Sequence, residues 1–223
     1  MTDLHTFMTH DAIIDLIDGM ANVLRDHLAH QGIGSPAMIG IHTGGAWVAR
    51  HLHERLDIAD PLGLLDINFY RDDFTHSGVN PQVRPSTIDF DVDNRDIVLV
   101  DDVIQSGRTI RAAMNEIFDF GRPRSIILVC LIERSGRQLP IQPDVVGLQP
   151  PLQTDEHIRL NGPHSGYRLV CGGTDDRIDS GQRESIGRIL PGHRNDSIQE
   201  ATPRGLRRSA ACSAFPSRGS ADW

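Results

Sequence analysis

The chain has 223 residues, 39% of them hydrophobic and 23% charged, which suffices for one well-buried core and falls short of two full domains. Its formal charge of -8 argues against a protein whose main task is to coat nucleic acid, although the field that attracts a phosphate depends on how charges are arranged. All 22 basic residues are arginine; 14 of them accompany 23 acids up to Val170, and 8 accompany 7 acids after it, so the acidity belongs to the first part.

Thr9 to His30 reads as an amphipathic helix, with Ile13, Ile14, Ile17, Ala21, Leu24 and Leu28 at helical spacing and Gly32 and Gly34 stopping it. Ala37 to Ile41 is a short apolar strand, followed by His42-Thr43-Gly44-Gly45 and a second helix, Ala46 to Leu56. Leu65, Ile67 and Phe69 alternate with polar residues, the pattern of a half-exposed strand. From Tyr70 to Arg95 periodicity is lost and five aspartates gather among Gly, Pro and Asn, so this long segment is expected to be functional or mobile. Ile97 to Val100 is a fully apolar strand. Gly107 to Phe120 is a helix closed by Gly121 and Pro123, Ser125 to Ile132 a buried strand, and Val145-Val146 a short one. Strands alternating with helices imply an α/β fold, a mostly parallel twisted sheet covered on both faces.

The domain is expected to span residues 1–170. Beyond it, Cys171 to Trp223 holds 8 Arg, 7 Gly and 7 Ser without an apolar period, and reads as a disordered extension, residues 171–223. Arg204 to Arg208 could touch nucleic acid or be a solvated stretch of that tail. The three cysteines, Cys130, Cys171 and Cys212, are far apart and lack metal-ligand spacing, and Cys130 lies in the apolar run Ile126 to Ile132 as a buried thiol. That usage fits a reducing, cytoplasmic compartment. With no basic-then-apolar leader and no apolar stretch of bilayer length, a soluble protein without a membrane partner is expected.

The chemistry concentrates in Val98 to Thr109, V-L-V-D-D-V-I-Q-S-G-R-T. An apolar strand leads to its carboxyl end, where open α/β sheets place ligands. There Asp101 and Asp102 precede a Ser/Gly/Thr loop and a helix start. Backbone N–H groups at a helix N-terminus, approached through a glycine, suit a phosphate monoester, and the Ser106 and Thr109 hydroxyls can add hydrogen bonds. Carboxylates would repel that phosphate, so their natural partners are neutral hydroxyls such as a ribose diol. Two other readings of the acid pair are a helix cap and a magnesium site of receiver type. A Walker loop is excluded, because the chain has no Gly-Lys-Ser/Thr. His42-Thr43-Gly44-Gly45 also joins a strand to a helix and can hold a second anion, or be a plain turn. The eleven histidines are scattered, and His42 alone falls inside a candidate site.

Val98 to Thr109 resembles the signature of type I phosphoribosyltransferases, and the chain from about residue 10 to 170 is similar to the PyrR family, pyrimidine regulatory proteins that also act as uracil phosphoribosyltransferases. The further matching stretches are Ile39 to Gly45, Phe69-Tyr-Arg-Asp-Asp-Phe74, Gly121-Arg-Pro123, Leu139-Pro-Ile141 and Asp144-Val-Val-Gly147. The resemblance implies a type I phosphoribosyltransferase fold with a small hood, formed by Glu133 to Asp144 and the return segment near Ile158. It also implies conversion of uracil and phosphoribosyl pyrophosphate to UMP and diphosphate, with magnesium carried by the pyrophosphate group.

By the same resemblance Thr43 and Gly44 touch pyrophosphate, and Asp101 and Asp102 the ribose hydroxyls. Val103, Ile104, Gln105, Ser106, Gly107, Arg108 and Thr109 cradle the 5-phosphate, and Arg134 and Ile158 contact the nucleotide. Tyr70 to Pro85 would be a flap whose Arg71 steadies the leaving group, where the bare composition also allows an acidic surface loop. Gly44 stands where some relatives carry arginine, so pyrophosphate binding would lean on backbone donors. The family further implies binding of pyr-operon mRNA, through arginines such as Arg25, Arg50, Arg111, Arg122, Arg124 and Arg137, and a homodimer or higher homo-oligomer. A regulator with negligible catalysis and a purine phosphoribosyltransferase remain the alternatives.

Overall fold

The computed structural model describes residues 5–67, 86–153, 156–162 and 166–173. The chain divides into two units, Met1–Ile178 and Asp179–Trp223, and every described residue lies in the first. Among the described residues the order is β1 (His5–Met8), α1 (His10–His30), β2 (Ala37–Ile41), α2 (Gly44–Leu56), β3 (Gly63–Leu65) and β4 (Asp96–Ile104). It continues with α3 (Arg108–Phe120), β5 (Ser125–Glu133), β6 (Val145–Leu148), β7 (Glu156–Asn161) and β8 (Arg168–Gly173).

Five strands form a wholly parallel sheet in the order β3-β2-β4-β5-β6. Successive side chains on a strand face opposite ways, and the two faces bury separate cores. Val98, Val100 and Val129 pack with Ile13, Ile17 and Leu24 of α1 and Val48 and Leu52 of α2. Ile97, Leu99, Leu128 and Cys130 pack with Ile110, Ala113 and Ile117 of α3. Helices therefore cover both faces, and the order of the sheet reverses between β2 and β4, the switch point at which doubly wound sheets open a crevice.

A second sheet, β1-β8-β7, is antiparallel. Its inward residues Ile158, Leu160 and Leu169 join the core beneath α1. Tyr167, at the entry to β8, ties this sheet to the helices. Its ring stacks on His10 at 5.5 Å between centroids and meets the edge of His51 at 5.3 Å, and its hydroxyl lies 3.2 Å from His51 Nε2. Burial lowers the His51 pKa and raises that of the Tyr167 hydroxyl.

Three sequence expectations change. First, the two segments expected to form the hood lie apart in the fold: Ile158 is in β7 of a small sheet with β8 and β1, whereas residues 134–144 run between β5 and β6 of the main sheet. Second, residues 171–173, assigned by composition to the tail, complete β8; Cys171 pairs with His5 and Ile158 and is 1% exposed. A cysteine followed by two glycines extends no apolar period, so only its pairing reveals it. Residues 174–223 lie outside the described residues, Cys212 among them. Third, β4 runs four residues beyond Val100 and takes in the acid pair. The strand expected through Leu65, Ile67 and Phe69 is β3, Gly63–Leu65, and Phe69 lies outside the described residues.

Candidate active site

Both glycine-bearing turns lie at the carboxyl ends of the strands that flank the switch point. β2 ends at Ile41, the His42–Thr43 peptide is cis, and α2 begins at Gly44 with Thr43 as its exposed N-cap. β4 ends at Ile104, Gly107 adopts φ +88°, and α3 begins at Arg108. A left-handed residue at that point needs glycine, because a Cβ would strain the backbone. Each helix start presents N–H groups that have no partner within the helix, together with the positive end of its dipole.

The first turn is in contact with β4. A Cβ placed on Gly44 would stand 2.2 Å from Oδ2 of Asp102, and one on Gly45 would stand 2.6 Å from the Val100 carbonyl oxygen and 2.8 Å from the Asp101 Cα. The Thr-Gly-Gly turn thus lets α2 start directly against the end of β4, and its glycines are required by close approach. The Asp102 carboxyl is half-buried against Gly44. Asp101 is 2% exposed, and its Oδ1 accepts the Asp102 N–H at 3.0 Å. Adjacent strand residues point to opposite faces, so the acid pair divides into a buried member and a crevice-facing one. Behind them Cys130 is fully buried, and that burial pushes its thiol far above the usual range. It is an inert core residue, as the apolar run around it indicates.

Of the expected phosphate-loop residues, Val103 and Ile104 are still strand, Gln105, Ser106 and Gly107 form the turn, and Arg108 and Thr109 open α3. Ser106 Oγ accepts the Arg108 N–H at 3.3 Å. Arg134, 6% exposed, donates from NH1 to Gln105 Oε1 at 3.2 Å and from NH2 to the Glu156 carbonyl oxygen. It therefore links the phosphate turn to the small sheet two residues before the buried Ile158. Arg71 and the rest of 68–85 lie outside the described residues. The segment after β5, expected in the hood over the base, packs on this turn: the Gln138 and Leu139 N–H groups donate to the Ser106 carbonyl at 3.0 and 3.1 Å. The Leu139-Pro-Ile141 stretch was its one signal in the sequence.

Several arginines considered for RNA have local partners. Arg25 donates to Asn22 and to the Arg55 carbonyl, Arg124 pairs with Asp96, and Arg137 pairs with Glu133. Among the described residues no group of three or more His, Cys, Asp or Glu is placed to hold a metal, and no helix is long and apolar enough to cross a membrane.

Two glycine-bearing helix starts at the switch point of a parallel sheet, with the Asp102 carboxyl against one of them, define a doubly wound α/β protein whose crevice lies at the strand ends. The sequence model of the phosphoribosyl transferase domain matches residues 5–159. A Bifunctional protein PyrR from Pseudomonas aeruginosa is 56% identical over 149 residues, 67% of this chain and 88% of the relative. One from Nitrosococcus oceani is 55% identical over 150 residues, 66% of this chain and 85% of the relative. The fold is shared with the hypoxanthine phosphoribosyl transferase of Trypanosoma cruzi at a TM-score of 0.54 and 20% identity, over 66% of this chain and 78% of that one. This chain belongs to the phosphoribosyltransferases and, within them, to the PyrR family.

Proposed function

We propose that the chain transfers the ribose 5-phosphate unit of phosphoribosyl pyrophosphate to uracil, giving UMP and diphosphate, and that it regulates pyr-operon expression in response to pyrimidines by binding mRNA. The observation that carries the catalytic half is the contact of the Gly44-Gly45 helix start with the end of β4, where Asp102 stands. Membership of a family whose relatives are named bifunctional supports the pairing of the two activities.

On this reading the N–H groups from Val103 to Thr109, with the hydroxyls of Ser106 and Thr109, hold the 5-phosphate. Thr43 and Gly44 face the pyrophosphate. Asp102 accepts from the ribose hydroxyls directly, and Asp101 fixes the backbone beneath it through the Asp102 N–H. Arg134 and Ile158 border the base, and Arg71 steadies the departing diphosphate. As the C1–O bond breaks, positive charge grows on the sugar ring and negative charge on the leaving group. The chain lowers that barrier by holding both ends in line and by placing donors where negative charge develops, with no covalent intermediate. Magnesium, carried by phosphoribosyl pyrophosphate, spreads the charge of the diphosphate; Asp102 is the described carboxylate best placed to approach it. The protein would work in the cytoplasm as a homodimer or higher homo-oligomer.

A panel of radiolabelled bases, offered with phosphoribosyl pyrophosphate and magnesium, tests the reaction. Uracil should be incorporated in preference; preference for hypoxanthine or guanine would overturn the base and leave the fold untouched. RNA binding measured across a salt series, with and without UMP, tests the regulator, which requires a UMP-dependent change.

A further inference from the structure

We infer that Arg137 is a positioning residue for the phosphate turn: it clamps the segment 134–141 that aims the Gly107 N–H at the 5-phosphate. The inference rests on the proposed assignment of that turn to the 5-phosphate.

Its first support is the geometry of one peptide. The Ser106 carbonyl accepts two hydrogen bonds, from the N–H groups of Gln138 and Leu139 at 3.0 and 3.1 Å. In a trans peptide the C=O and the following N–H point in opposite directions. Holding the Ser106 carbonyl toward residues 138–139 therefore turns the Gly107 N–H the other way, out of the segment. A third bond, from Arg108 Nε to Gln138 Oε1 at 3.0 Å, ties the same segment to the first residue of α3.

The second support is what holds the segment. Arg137 NH2 donates to Glu133 Oε1 at 2.5 Å, at the last residue of β5, and the other oxygen of Glu133 accepts from Gln149 Nε2 at 2.5 Å. The aliphatic part of Arg137 passes under the turn, with Cδ 3.7 Å from where a Cβ on Gly107 would stand, beside Leu139 and Ile141. Its NH1 is buried and makes no hydrogen bond among the described residues. A buried donor left without a partner opposes folding, so the site is kept for some other gain.

Titration calorimetry on the full chain separates the two anion turns, using ribose 5-phosphate and inorganic pyrophosphate as probes. Arg137→Gln should weaken ribose 5-phosphate about tenfold and raise the KM for phosphoribosyl pyrophosphate to match, the scale of one lost charge-assisted contact. Pyrophosphate affinity, the KM for uracil and kcat should stay within about twofold, since the lost interaction acts equally on ground and transition states. Glu133→Gln, which frees the guanidinium without removing it, should give a smaller loss in the same direction, and Arg137→Lys a partial rescue. Wild-type ribose 5-phosphate affinity in Arg137→Gln, or equal weakening of both probes, would overturn the role. If Arg137→Gln fails to fold, Glu133→Gln decides by the same comparison. Failure of the wild type to bind ribose 5-phosphate would instead remove the assignment of the turn, and this inference with it.

Discussion

The two sheets of the molecule are built on opposite plans. Every strand of the five-stranded sheet is parallel to its neighbours, and both of its faces are buried by helices close to it in sequence. The three-stranded sheet joins His5–Met8 to a strand that begins at Arg168, and it reaches the core through one face only. On the proposed function the large sheet would fix where the anions sit and the small one would carry the side nearest the base; Arg134 connects the two. The contrast suggests a division of labour: a rigid frame for the sugar and its phosphates, and a more separable cover for the base.

Cavities test that contrast most sharply. Leu99 and Leu169 are both fully buried, one in each sheet. Leu99→Ala should cost about 4 kcal/mol by urea denaturation, near the upper part of the range for buried leucines. Leu169→Ala should cost about 2 kcal/mol and speed amide exchange in β7 and β8 while sparing β4. Equal costs with global exchange would mean the two sheets open as one.

Next in size is Asp102→Asn. It removes a charged acceptor at the edge of the rigid frame, and turnover should fall about 100-fold, roughly 3 kcal/mol of transition-state stabilisation. Thermal unfolding should hardly move, and wild-type turnover in this variant would remove the role given to Asp102. A smaller effect separates two truncations. A chain ending at Gly173 retains every pairing of β8 and should keep its stability within about 0.5 kcal/mol. One ending at Val170 loses the pairings of Cys171 with His5 and Ile158 and should give up about 1–2 kcal/mol, the worth of a few strand hydrogen bonds.

The smallest expected effect is one of pH. Arg124 and Ser125 hydrogen-bond the buried Asp96 carboxyl at the start of β4, and Arg124 above all holds it below its ordinary value of 3.8. The unfolded chain therefore binds this proton more readily than the folded one. The stabilisation is complete above the ordinary value and is lost as pH falls through the folded value. Asp96→Asn should flatten the acid limb of a stability-against-pH curve measured below about pH 4, and an unchanged limb would show that the pair contributes nothing there.

Much of the large sheet is legible in the sequence because its signals are local. Ile97 to Val100 is an unbroken apolar run, Gly107 and Gly121 bracket α3, and helical spacing marks α1. The acid pair reads as loop by charge, yet it is strand: Asp101 can be buried because the ladder to Cys130 continues past Val100. The small sheet is nearly silent. His5-Thr-Phe-Met8 has no period of its own and is a strand only because residues 169–171 lie beside it, a pairing across most of the domain. The brace behind the phosphate turn is equally hidden, since two of its bonds are given by the backbone of Gln138 and Leu139, whose N–H groups any residue but proline would supply.

Because β2 and β4 are hydrogen-bonded neighbours, in register from Ala37 with Ile97 to Gly40 with Val100, the end of β2 lies one strand spacing, about 4.8 Å, from β4, and the second turn begins three residues further along β4, about 10 Å. The sheet therefore works as a ruler with a fixed graduation. The offset between the two turns cannot be stretched or shortened without unpairing β2 from β4. Adaptation to a longer or shorter ligand is left to the turns themselves, where one added Cβ already meets backbone or Asp102.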